Sequence, residues 1–207
     1  MKTTLLILLV LSFSQLSLAY SQDLTQAEIL KLLGRYPSHG SIEEKNDFEQ
    51  MLELQRTRTK LDCEVAEAEA KPDIKRVFTH DHGPLTISEM NEAYAKILPV
   101  YEAAQQSSRY AKSLYRRNRP YMNNPEIKPC ISMENSFSYP SGHTTISRAV
   151  ARALSILFPE RKELLIQRAD EVAFHRVLGG VHHPSDIAAG KKLGDEVAKR
   201  SESLIEL

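Results

Sequence analysis

Apolar residues recurring every third or fourth position, with no run of strict alternation, restrict this chain to helices packed on helices. From Ser88 toward Tyr115, Met90, Ala93, Tyr94, Ile97, Leu98 and Tyr101 mark one face of a long helix. Ser88 is placed to cap it, and Pro99 is expected to kink or divide it. Upstream, Asp23 and Thr25 can cap a segment through Ile29, Leu30, Leu32 and Leu33, closed by Gly34 and Pro37. Ser41 with Glu44 forms a capping box before a helix through Phe48, Met51, Leu52 and Leu54, whose polar continuation, Arg56 to Lys60, reads as a solvated face. Residues 71–87 read as a connector and 121–139 as an irregular loop. Helices are expected over 141–157, about 159–178 and 184 to about 204. The expected fold is all-α, a single-domain helical bundle.

The chain has 207 residues, enough for one domain with a sizeable core. Its 27 basic and 27 acidic side chains balance, so no global field points to nucleic acid. Met1-Lys2, the apolar run Leu5 to Leu11 and the small-residue pattern Ser17-Leu18-Ala19 read as a secretory signal, residues 1–19, with cleavage after Ala19 or, second, Ser21. A membrane span needs about 20 apolar residues, and Ser12, Ser14, Gln15 and Ser17 interrupt this run. The mature chain, 20–207, is therefore expected to be soluble in the periplasm or outside the cell, without stable membrane insertion. In such a compartment two cysteines, Cys63 and Cys130, invite a disulfide; two separate buried thiols are the other reading. His80-Asp81-His82 in the connector is read as plain loop rather than a metal site.

Three blocks carry chemistry. Lys112 and Arg119 lie seven residues apart, two turns if both sit on one helix, with Arg116 and Arg117 beside them as a solvated basic face. Pro140-Ser141-Gly142-His143 follows a loop and opens the apolar helix of Ile146, Val150, Ala153 and Leu154. The first amides of a helix lack internal partners and suit a phosphate, which Gly142 lets the backbone approach. The third block places Arg176 before the helix-breaking pair Gly179-Gly180, then His182, then Asp186 within the first turn opened by Pro184. Asp186 can accept from one ring nitrogen of His182 and leave the other as a nucleophile. His182, His183 and Asp186 could instead suggest zinc. The three cations Lys112, Arg119 and Arg176 argue for an anion, so neither metal nor cofactor is expected.

Together, Lys112-x6-Arg119-Pro120, Pro140-Ser141-Gly142-His143 and Arg176-x5-His182-x3-Asp186 resemble the signature of the type 2 phosphatidic acid phosphatase superfamily, which includes vanadium haloperoxidases. The chain looks most like the bacterial class A non-specific acid phosphatases, over about residues 88–199. The family's third block usually opens Ser-Arg; here it is His175-Arg176. The resemblance implies an exported, metal-independent acid phosphatase acting on small phosphate monoesters. His182 would become a phosphohistidine, oriented by Asp186. His143 would protonate the leaving oxygen and then activate water. Lys112, Arg119, Arg176, Ser141 and the Gly142 amide would bind the phosphoryl oxygens. A vanadate-dependent haloperoxidase, a peripheral lipid phosphate phosphatase and a helical binding module are the competing readings. A homo-oligomer is left open.

Overall fold

A computed structural model describes residues 24–71, 73–79 and 83–205. The expected signal segment and His80-Asp81-His82 lie outside the described residues. Those described form helices joined by loops, with no β-strand among them, only an isolated bridge between Thr79 and Leu85.

Helix starts follow local capping chemistry. α1 (Gln26–Leu33) begins at Thr25, whose hydroxyl accepts the Glu28 N–H while the Glu28 carboxylate accepts the Thr25 N–H at 2.8 Å. Gly34 closes it at φ +64°. α2 (Ile42–Thr57) makes only half of the expected box. Ser41 Oγ accepts the Glu44 N–H, but the Glu44 carboxylate turns back to the Gly40 N–H at 2.7 Å and to His39.

The stretch read as a solvated continuation of α2 is a break and a new helix. Arg58 is extended and donates to the Leu178 and Lys128 carbonyls, and Thr59 with Asp62 caps α3 (Lys60–Ala68). Within the expected connector, Asp73 caps α4 (Ile74–Phe78), which buries Ile74, Val77 and Phe78.

α5 (Ile87–Tyr115) is capped by Thr86 with Glu89, not by Ser88, and runs through Pro99 undivided. It buries Met90, Ala93, Ile97, Val100, Ala104, Ser107, Ser108 and Ala111. Tertiary packing of that continuous face outweighs the one backbone bond that proline removes. Arg116, at φ +51°, ends it. Pro120 then opens α6 (Pro120–Asn123), with Arg119 as its N-cap. Lys112 and Arg119 are therefore not two turns of one helix; a left-handed corner separates them.

α7 (Gly142–Leu157) is the central helix, buried along most of its length and packed against α5, α8 (Lys162–Leu178) and α9 (Pro184–Arg200). A short 3-10 turn (Pro159–Arg161) precedes α8, and α10 (Glu202–Ile205) ends the described chain. Two glycines one turn apart let α9 press on α7. A Cβ at Gly190 would lie 2.9 Å from the Ser141 carbonyl, and one at Gly194 would lie 2.6 Å from the Thr145 carbonyl. That closeness brings the start of α9 against the start of α7, where the Ser141 N–H donates to the Asp186 carbonyl at 3.0 Å.

Cys63 and Cys130 form a disulfide that ties α3 to the loop before α7 across 67 residues of sequence. Closing a loop of that length constrains the unfolded chain by about 4 kcal/mol.

Candidate active site

The turn between α8 and α9 sets the first half of the site. Gly180 sits at φ +82°, and the N–H groups of Val181 and His182 both return to the Arg176 carbonyl. Arg176 and His182 are thereby folded together, and both are fully buried. His182 Nδ1 lies 3.2 Å from Asp186 Oδ2 and its Nε2 lies 2.9 Å from Arg119 Nη1. A carboxylate only accepts and a guanidinium only donates, so these partners assign the proton to Nδ1 and the lone pair to Nε2. Burial, and then the charge of Arg119, hold His182 well below the ordinary histidine range, so the ring is neutral.

Asp186 is held from every side. Oδ2 also accepts the His183 N–H at 2.9 Å and faces His183 Nδ1 at 3.2 Å, while Oδ1 accepts from Arg117 Nη1 at 2.7 Å. Burial alone would raise its carboxyl; the hydrogen bonds from His182 and His183 outweigh it and keep the group ionised. Arg117, expected on a solvated face, is instead buried beneath the site. It pairs with Asp47 at 3.2 Å as well as with Asp186, and donates to Ser185. Ser185 in turn donates through both its N–H and its hydroxyl to Asp47. Its burial follows from the left-handed corner at Arg116, which turns the chain inward.

The cations converge from three elements. Arg119 spends all five N–H groups: on the Ser136 carbonyl and hydroxyl, the Val181 carbonyl, His182 Nε2 and, at 2.6 Å, the Glu134 carboxylate. Arg176 also pairs with Glu134, but its Nε and Nη1 have no partner among the described residues. Lys112 donates to the Phe137 and Ser138 carbonyls. Burial, followed by the charge of Arg119, lowers its ammonium to about 7. A Cβ on Gly142 would stand 3.6 Å from Lys112 Cε, an ordinary contact, so packing around Lys112 does not demand a glycine there.

The start of α7 supplies the second imidazole. Ser141 is buried, and its hydroxyl takes bonds from the Thr144 N–H and hydroxyl, fixing the first turn. His143 Nε2 lies 3.0 Å from the Ala70 carbonyl, which puts a proton on Nε2 and leaves Nδ1 facing Glu134 Oε1 at 3.9 Å. Burial and the Arg176 charge push His143 down to about 4, against the opposing pull of Glu134.

All eight sequence-picked residues thus meet at one place. Four groups that the sequence did not suggest join them: Asp47, Arg117, Glu134 and the Ala70 carbonyl. Arg117 stood next to a motif residue, which was the only available signal. His175, where the family usually has serine, pairs with Glu69 at 2.7 Å, one residue from Ala70. Among the described residues no group of three His, Cys, Asp or Glu side chains is arranged to hold a metal ion, and no helix is long and apolar enough to cross a membrane.

Comparison with known proteins gives the family. A model of the PAP2 superfamily matches residues 94–195, which include all three blocks. A non-specific acid phosphatase of Providencia stuartii is 30% identical over 186 residues, covering 84% of this chain and 74% of that protein. One of Salmonella typhi is 40% identical over 90 residues, 41% of this chain and 35% of that protein. The crystal structure of a bacterial vanadium-dependent iodoperoxidase shares the fold at TM-score 0.65 and 18% identity, over 83% of this chain and 52% of that one. On the strength of the acid phosphatase match over 84% of its length and the family model over residues 94–195, the chain belongs to the PAP2 superfamily.

Proposed function

We propose that this chain, a phosphoric monoester hydrolase of its superfamily, is an exported acid phosphatase that acts through a phosphohistidine on His182 and needs no metal. One observation carries the proposal: a neutral, buried imidazole whose Nδ1 is held by a carboxylate and whose Nε2 lone pair faces the Arg119 guanidinium. Two buried nitrogens of Arg176, Nε and Nη1, without a partner among the described residues, call for an anion. Export rests on the N-terminal pattern of residues 1–19, and the single-domain reading covers 20–207.

In the first step Arg119 shifts its N–H from Nε2 to a phosphoryl oxygen, and Nε2 attacks phosphorus. The bond to the leaving oxygen breaks, and that oxygen takes the Nδ1 proton of His143, which enters this step as the imidazolium, protonated on both nitrogens. In the second step water attacks phosphorus and gives a proton to His143. The P–N bond breaks and returns its electron pair to Nε2. Lys112, Arg119, Arg176 and the first amides of α7 hold the equatorial oxygens, where charge spreads in the transition state. Ser141 shapes that helix start, and Asp186 stabilises the His182 ring as it gains positive character.

The test is hydrolysis of p-nitrophenyl phosphate and of alkyl phosphates by the purified chain in EDTA, with acid-quench trapping of an acid-labile phosphoenzyme. Activity that survives EDTA and is inhibited by orthovanadate is expected. Loss of activity in EDTA, or bromide oxidation with added vanadate in place of hydrolysis, would sink the proposal.

A further inference from the structure

Glu134 plays no part in those steps, yet it lies at their centre. One oxygen accepts from Arg119 Nη2 at 2.6 Å; the other accepts from Arg176 and stands 3.9 Å from His143 Nδ1. These are the groups that the phosphatase reading assigns to a phosphoryl group, so the inference rests on that reading. We infer that the Glu134 carboxylate is an internal stand-in for the phosphoryl group, occupying the anion pocket of the resting protein until substrate displaces it. By competing, it weakens the hold of this site on inorganic phosphate, the reaction product.

The contact is built rather than incidental. The Glu134 carbonyl accepts from the Tyr121 hydroxyl at 3.0 Å. Two residues earlier, Ser132 donates its N–H and its hydroxyl to the Glu67 carboxylate, each at 2.6 Å, and Cys130 is bonded to Cys63. The backbone is thus anchored to α3 on one side and to α6 on the other, so only the side chain needs to turn. A cavity of about 380 Å3, walled in part by Arg119, Ser136, Phe137 and Met133, adjoins the carboxylate and gives it room.

The competition is uneven in a useful way. A carboxylate has two oxygens and leaves Arg176 Nε and Nη1 buried without partners among the described residues. A phosphoryl group has three and can reach them. Substrate therefore gains bonds that Glu134 never makes, while the buried guanidinium pair is not left facing an empty pocket.

The test uses the full chain, with inorganic phosphate as a competitive inhibitor of p-nitrophenyl phosphate hydrolysis. Glu134→Gln and Glu134→Ala should each lower the phosphate inhibition constant roughly ten- to hundredfold, the worth of one charge-assisted contact, with KM moving the same way. Glu134→Asp, one methylene shorter, should fall between them and the parent, and it keeps the charge should the others fold poorly. The rise in thermal midpoint on adding phosphate gives a second readout, independent of turnover; it should be larger in the variants. An inhibition constant that is unchanged or higher in folded variants overturns the inference and leaves the phosphatase reading standing. A parent chain that hydrolyses no phosphoester sinks that reading itself.

Discussion

The two imidazoles of this pocket are held in opposite ways. His182 is wholly buried, and its orienting carboxylate is fixed by His183 and Arg117, with Asp47 behind. The His143 side chain is 14% exposed and leans on a single backbone carbonyl; its neighbour Glu134 is 29% exposed and comes from a loop. Under the proposed mechanism the difference matches two tasks. A nucleophile must meet phosphorus along one line, so its ring is gripped by charges that cannot move without large cost. An acid that serves leaving groups of different shape, and then water, works from a more open wall.

Disrupting the closed side should therefore hurt most. His182→Ala is expected to reduce kcat by roughly 10⁴- to 10⁶-fold, as for other covalent nucleophiles, while phosphate still protects the fold against heat. A folded variant with parental turnover would remove His182 from the nucleophile's role. On the open side, His143→Asn should slow alkyl phosphates by about 10²- to 10⁴-fold. Its first turnover with p-nitrophenyl phosphate should suffer less, because nitrophenolate leaves without a proton. A burst of nitrophenolate before a slow steady state is the signature; equal losses for both substrate types would contradict the acid assignment.

The support behind the closed side can be probed through stability. Arg117→Met leaves Asp47 and Asp186 buried without their shared cation, so denaturant unfolding should show a loss of about 3–5 kcal/mol. A near-neutral change would mean that those carboxylates find other partners.

The smallest effect concerns pH. His182 must be neutral to attack, and its depressed pKa keeps it so well into acid. His143 must be protonated, and in the free protein it loses its proton as pH rises through about 4. The logarithm of kcat/KM should therefore fall on the alkaline side from the acid range upward. A further, severalfold decline is expected as pH passes about 7, where Lys112 discharges. Lys112→Arg should erase only that second step, since a guanidinium stays charged. A flat profile from pH 4 to 8 would refute opposite roles for the two rings.

Most of the helices, and the residues that the pocket gathers, could be read from the chain alone. Spacing of three and four marks a helical face, a Thr or Ser three residues before an acid marks a helix start, and each motif block is local enough to show its chemistry. Other local signals were present: Thr59 with Asp62 announces α3, and Thr86 with Glu89 announces α5 two residues before Ser88. What no local pattern could express is who faces whom. Arg117 has the same letter whether solvated or wedged between Asp47 and Asp186, and the Ala70 carbonyl that orients His143 belongs to no motif at all. Glu134 becomes meaningful only once α8, α6 and its own loop bring two guanidinium groups within reach. Hydrogen bonds act over about 3 Å, whereas the partners here are up to 138 residues apart along the chain, as Asp47 and Ser185 are. The separation between those two scales is closed by packing, above all by the glycine-lined approach of α9 to α7.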